Sequence, residues 1–218
     1  MSIDSHCQEE VDLSMAQDPL RRQPTQERGR RRVDQILTAA AAEFARVGYP
    51  EATTNAIAAR AGVSIGSLYQ FFPHKRALLQ ALAQNHLAAI DEITATALAS
   101  PTPRSPEQVV TAVIDPVLSY CAATPGLAAL LTGATAASET AEITRDLREA
   151  LTARVAHLLG AKALTPERRL VAALVFVRIL TALLSDAVDT DGAINVAVAT
   201  ELKAALSAYL ATLTRPPP

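Results

Sequence analysis

The chain has no tryptophan, and aromatic residues make up only 4% of its 218 positions. Half of the residues are hydrophobic all the same, so a core must be built mainly from Ala, Leu, Val and Ile. Ala and Leu are strong helix formers, whereas aromatic and β-branched residues fill strands. The composition therefore points to close helix packing and away from a β-sandwich.

Cysteine is equally scarce. Cys7 and Cys121 are the only two; they lie far apart, and neither neighbours a metal pair or a redox motif, so a reduced, cytoplasmic protein is the economical expectation. No basic stretch followed by an apolar one stands near the N-terminus, so no secretory signal is expected. The most apolar stretch, residues 170–184, is broken by Arg178 and falls short of the roughly 20 residues needed to span a bilayer. It reads as a buried helix, with no membrane partner. A phosphate-binding Gly-rich loop, a nucleophile elbow and a His or Cys pair at metal-ligand spacing are all missing. No catalytic residue, metal site or cofactor is expected, and the chain does not read as an enzyme.

Charge is present but unevenly placed. Residues 1–20 carry five acids and no Lys or Arg, residues 21–76 carry ten Lys and Arg against four acids, and the remainder carries ten against thirteen. The net charge of -2 thus hides one basic segment in the first third, which matters more for a partner than the total does.

Residues 1–24 lack helical periodicity and read as a flexible tail. From residue 26 onward Val33, Ile36, Leu37, Ala40, Phe44 and Val47 recur three or four apart, and Gly48 is a plausible stop. Two very short helices are expected next, over 53–61 and 64–71. Thr53 and Ser64 stand where an N-cap hydroxyl accepts from a free backbone N–H, Gly62 punctuates the pair, and Pro73 closes the second. A long helix over 74–99 follows, then a proline-rich loop over 100–106. Further helices are expected over 107–123, 127–131, 140–159, 166–188 and 193–213. The expectation is an all-α chain in three parts: a tail (1–24), a compact unit (25–78) and a larger helical region (79–218).

The informative string is TTNAIAARAGVSIGSLYQFFPHKRALL, starting at Thr53. Ile57, Ala58, Ala61, Val63 and Leu68 can form the small core between two crossed helices, with Gly62 turning the chain between them. Left outward on the second helix are Ser64, Ile65, Gly66 and Ser67, then Tyr69, Gln70 and Phe71, short or planar side chains suited to a major groove or its phosphates. Lys75, in the first turn of the next helix, is placed to reach a phosphate. Arg28, Arg30, Arg31 and Arg32 surround the start of the first helix as an arm for backbone phosphate or a minor groove.

This string, preceded by an amphipathic helix and followed by an all-helical region, resembles the TetR family of bacterial regulators over roughly residues 30–82. The resemblance implies an N-terminal helix-turn-helix DNA-binding domain followed by a helical ligand-binding and dimerisation domain. Thr54 would correspond to a phosphate-contacting hydroxyl, Asn55 to a variable position facing DNA, Ser64 to Ser67 to the start of the recognition helix, and Tyr69 to an aromatic that bonds phosphate. Phe71 stands where many relatives have Tyr or His, which removes a polar handle and favours packing. Lys75 matches a phosphate anchor.

The implied function is transcriptional regulation, by default repression. A homodimer would bind a palindromic, double-stranded operator and be released by a small effector. The last two long helices would pack against their twofold mates, with Leu170, Leu174, Val177, Arg178, Leu202 and Leu206 at the interface; a helix apolar nearly all round suits such a place. His86, Ile90, Tyr120, Cys121, Leu131 and His157 are the residues to inspect for an effector pocket. Few charges between 109 and 137 suggest an apolar or weakly polar effector. The alternative is a helical small-molecule-binding protein that has lost operator binding.

Overall fold

The computed structural model describes residues 27–99, 105–124, 127, 138–161, 164–189 and 191–214. The expected tail and most of the helix expected over 127–131 lie outside them. The described chain is helical: α1 (Glu27–Glu51), α2 (Thr54–Arg60), α3 (Ile65–Phe71), α4 (Lys75–Leu98), α5 (Pro106–Ala123), α6 (Ser138–Leu158), α7 (Pro166–Ala187) and α8 (Val196–Thr214), with a short 3-10 turn at Leu159–Ala161. Among the described residues the sole strand-like pairing is an isolated bridge between Val188 and Ile194.

The first unit is held by side chains at helix ends. Gly48, at φ 78°, interrupts α1, a backbone conformation that glycine adopts without a steric penalty. The Thr53 hydroxyl accepts from Ala56 N and the Ser64 hydroxyl from Ser67 N, both at 3.1 Å. Gly62, at φ 65°, turns the chain between them. His74 caps α4, its Nδ1 accepting from Ala77 N at 3.0 Å. Val33, Ile36, Leu37, Ala40, Ile57, Ala58, Leu68, Phe71 and Phe72 form one buried cluster that reaches into α4 through Leu78 and Leu82, with Ala61 and Val63 against its edge.

Helix α4 leaves this unit and enters a second, larger core. There α4 to α8 pack side by side, with Leu79, Leu87, Ile114, Leu118, Leu147, Val177, Leu184, Leu202 and Leu206 among the buried residues. Polar pairs fix the neighbours. Arg154 Nε donates to both carboxylate oxygens of Asp91 at 2.6 and 2.7 Å, Lys203 Nζ to Asp115 at 2.7 Å, and Arg76 pairs with Glu142 between the start of α4 and α6.

The start of α5 differs from expectation. Pro106 begins α5 instead of ending a loop, since a helix needs no N–H from its first residue; Ser105 and Gln108 close a reciprocal capping box there. The apolar stretch around Arg178 belongs to a helix of 22 residues, and by length and composition alone both this helix and Val196–Leu213 are long enough to cross a membrane. One face of each is packed in the bundle.

Candidate nucleic-acid interface and effector cavity

The edge formed by α2, α3 and the start of α1 gathers most of the residues singled out in the sequence. Thr54 Oγ1 and the Tyr69 hydroxyl lie 3.0 Å apart, so two groups read as phosphate ligands sit together across the helix-turn-helix. Arg32 Nη1 donates to the Ser67 hydroxyl at 3.3 Å, which brings the basic start of α1 to the first turn of α3. Ile65 and Tyr69 are 36% and 41% exposed, and a Cβ at Gly66 would meet nothing within 4 Å. Asn55, Ser64, Gln70, Arg28 and Arg30 are exposed on the same unit, and Arg31 pairs with Glu27 one turn away.

Two of the expected contact residues are turned elsewhere. Phe71 is buried in the first core, so its ring packs and is not offered to a ligand, as the missing polar handle had suggested. Lys75 Nζ donates to the carbonyls of Tyr49 at 2.7 Å and Pro50 at 3.0 Å and lies 4.4 Å from the centre of the Tyr49 ring. Two of its three donors thus tie α4 to the corner after Gly48, leaving one for a phosphate.

One feature went unread in the sequence. Glu43 is buried on α1 and accepts from Arg46 Nη2 at 2.7 Å and from Arg60 Nε at 3.3 Å, which locks α2 to α1. The hydrogen bond from Arg46 holds its carboxyl below the usual carboxylate range against the opposing effect of burial. The spacing of Glu43 and Arg46 was legible as an i,i+3 pair; the reach of Arg60 was not.

In the second core a cavity of about 390 Å³ lies in the half of the bundle remote from α3. Ile90 of α4, Val113 of α5, Val155 of α6, Phe176 and Leu180 of α7 and Leu210 of α8 are among its walls. Of the six residues expected at such a pocket, five are described, and of those Ile90 alone lines it. His86, Tyr120 and Cys121 lie about one helical turn away along α4 and α5 and belong to the packed core: His86 Nδ1 is 2.8 Å from the Tyr120 hydroxyl. Burial depresses the His86 pKa to about 4 and pushes the Cys121 thiol up to about 12. His157 is exposed, and Leu131 lies outside the described residues.

Two family models match this architecture in order. That of bacterial regulatory proteins, tetR family, matches residues 36–82, and that of a tetracyclin repressor-like C-terminal domain matches residues 105–210. The chain belongs to the TetR family of transcriptional regulators. A TetR-family regulator from Streptomyces coelicolor is 27% identical, with 84% of this chain and 99% of that chain aligned at a TM-score of 0.65. The fatty acid degradation regulator FadR from Bacillus halodurans shares the fold at 21% identity, 84% and 94% coverage and a TM-score of 0.64. FadR from Bacillus subtilis, solved with stearoyl-CoA, does so at 18% identity, 81% and 98% coverage and a TM-score of 0.57. No curated protein matches the chain.

The sequence placed a partner face on the last two long helices. Leu170, Val171 and Leu174 of α7 are 56%, 59% and 45% exposed, and Arg178 is exposed one turn further on. Val177, Leu202 and Leu206, expected with them, are instead buried within the chain itself, and Val177 lines the cavity. On helices apolar nearly all round, periodicity does not say which stripe faces inward.

Proposed function

We infer that the protein is a cytoplasmic, homodimeric repressor that binds a palindromic double-stranded operator and leaves it when a small apolar or weakly polar effector fills the cavity. The observation that carries the reading is the edge where Thr54, Tyr69, Arg32 and Ser67 converge around an exposed Ile65 and an open Gly66. In this reading Ser64, Ile65, Gly66, Ser67 and Gln70 face base edges, while Thr54, Asn55, Tyr69, Lys75 and Arg28, Arg30 and Arg31 position the phosphates. A major groove admits a helix with short side chains at its start, and a thymine methyl is a natural contact for Ile65.

Dimerisation follows from the same reading. One recognition helix reads few base pairs, and a twofold dimer presents two of them about 34–36 Å apart to successive major grooves. The exposed apolar residues Leu170, Val171 and Leu174 are the face a twofold mate would cover. Helix α7 would then have its cavity wall on one side and the partner on the other, so an effector that changes its seat would change the spacing of the recognition helices. The effector acts only through different affinities for the two dimer states, and DNA must weaken effector binding by the same factor.

Selection of bound fragments from a genomic library with the purified full chain tests this. The expected outcome is a twofold-symmetric sequence recovered repeatedly. Recovery of no symmetric sequence, from protein that still binds small molecules, favours the reading in which operator binding has been lost.

A further inference from the structure

Among its described lining residues the cavity carries no charged side chain: Thr94 and Thr181 are the polar members and all others are apolar. The Thr181 hydroxyl already donates to the Val177 carbonyl at 2.8 Å, so it is turned onto its own helix. Thr94 has no such bond among the described contacts. It stands on α4 one turn beyond Ile90 and one turn before Leu98, both of which also line the cavity. The ionic pairs nearest in sequence are satisfied by each other: Asp91 by Arg154, and Asp115 by Lys203.

An ionised group entering such a space loses its hydration and gains no partner, whereas an alkyl chain gains from leaving water. A single hydroxyl or carbonyl is tolerated where it can meet Thr94. At about 30 Å³ for each water-sized unit, the cavity holds about a dozen non-hydrogen atoms, the size of a medium-length aliphatic molecule.

We propose that this cavity takes a largely aliphatic chain of medium length with one neutral hydroxyl or carbonyl group set against Thr94, in preference to a chain that ends in a carboxylate. The proposal rests on reading the bundle as the effector-binding half of a regulator, and it narrows the effector to one chemical class.

The test is calorimetric binding of 1-dodecanol and dodecanoate to the full chain at pH 8, with operator affinity measured in parallel. Dodecanol is expected to bind at least tenfold more tightly than dodecanoate. Thr94→Val is expected to weaken dodecanol about five- to tenfold, the worth of one neutral hydrogen bond, and to leave the binding of n-dodecane unchanged. Val113→Phe, which fills the space, is expected to remove binding of all of them while the operator is still bound; Leu180→Phe serves the same purpose on a different helix if that variant does not fold. Equal or tighter binding of dodecanoate overturns the proposal, as does failure of dodecanol to bind. Dodecanol binding with no change in operator affinity supports the ligand class and removes the regulatory reading beneath it.

Discussion

The two cores of this protein are built on different plans. The N-terminal one is small and filled: Ile36, Ile57, Leu68, Phe72 and Leu78 are almost fully buried, its helix ends are capped by Thr53, Ser64 and His74, and Glu43 clasps two arginines across α1 and α2. The C-terminal core is larger and hollow, with a cavity of about 390 Å³ between long apolar helices and an uncovered apolar stripe on α7. A filled core keeps side chains in fixed positions, as a surface that reads DNA requires. A hollow one leaves room for a ligand to change how helices sit.

Paired truncations give the sharpest contrast. Leu68→Ala, in the filled core, is expected to destabilise its unit by about 2–5 kcal/mol. Leu180→Ala enlarges a space that already exists and is expected to cost less than about 2 kcal/mol. Denaturant titration of both variants checks this, and equal losses would erase the distinction between the cores.

Leu174→Glu places a charge on the uncovered stripe. It is expected to give a folded monomer by sedimentation and to weaken operator binding about 100-fold, because the second recognition helix no longer binds at high effective concentration. An intact dimer would move the interface off this face.

The cores should also part company in acid. His86 has its pKa lowered by burial from 6.5 to about 4, so the unfolded chain binds more protons in that interval. The stability due to a neutral His86 is complete above about pH 6.5 and is lost progressively as pH falls toward 4. Glu43, lowered by Arg46, contributes stability that is present above the unfolded carboxylate value and lost only at lower pH. Thermal melts between pH 7 and 4 should therefore fall less steeply for His86→Gln than for the wild type; parallel curves would remove His86 from the account.

The smallest effects concern the reading edge itself. Gly62→Ala forces a Cβ into a left-handed backbone conformation at φ 65°, at a cost of about 1–2 kcal/mol, visible in denaturant melts. Arg31→Ala should lower the slope of log affinity against log salt by about one and leave sequence preference unchanged.

The same contrast decided what could be read from the sequence. In the N-terminal unit each signal is local. A hydroxyl before a helix is a cap, a glycine between two short helices is a turn, and the apolar positions Ile57, Ala58 and Leu68 have only one place to go. Thr54 and Tyr69 were named separately, and the fold set them 3.0 Å apart. In the C-terminal bundle the helices α5 to α8 were legible, but their faces were not. Val177, Leu202 and Leu206 are as apolar as Leu170 and Leu174, and only packing distinguishes an inward stripe from an outward one. His86, Tyr120 and Cys121 drew attention by chemistry, yet the cavity is walled by Val and Leu, because a hollow is defined by where five helices fail to meet. Lys75 shows a further limit: its capping of the Tyr49 and Pro50 carbonyls depends on a chain corner about 25 residues away.

Operator recognition is tested by the affinity of the full chain for a selected symmetric fragment and for random duplex, across a salt series. The expected result is a preference of at least about 10³ for the symmetric fragment, a binding stoichiometry of two chains per site, and affinity for both duplexes that falls steeply with salt. Equal affinity for the two duplexes, or binding insensitive to salt, would contradict it.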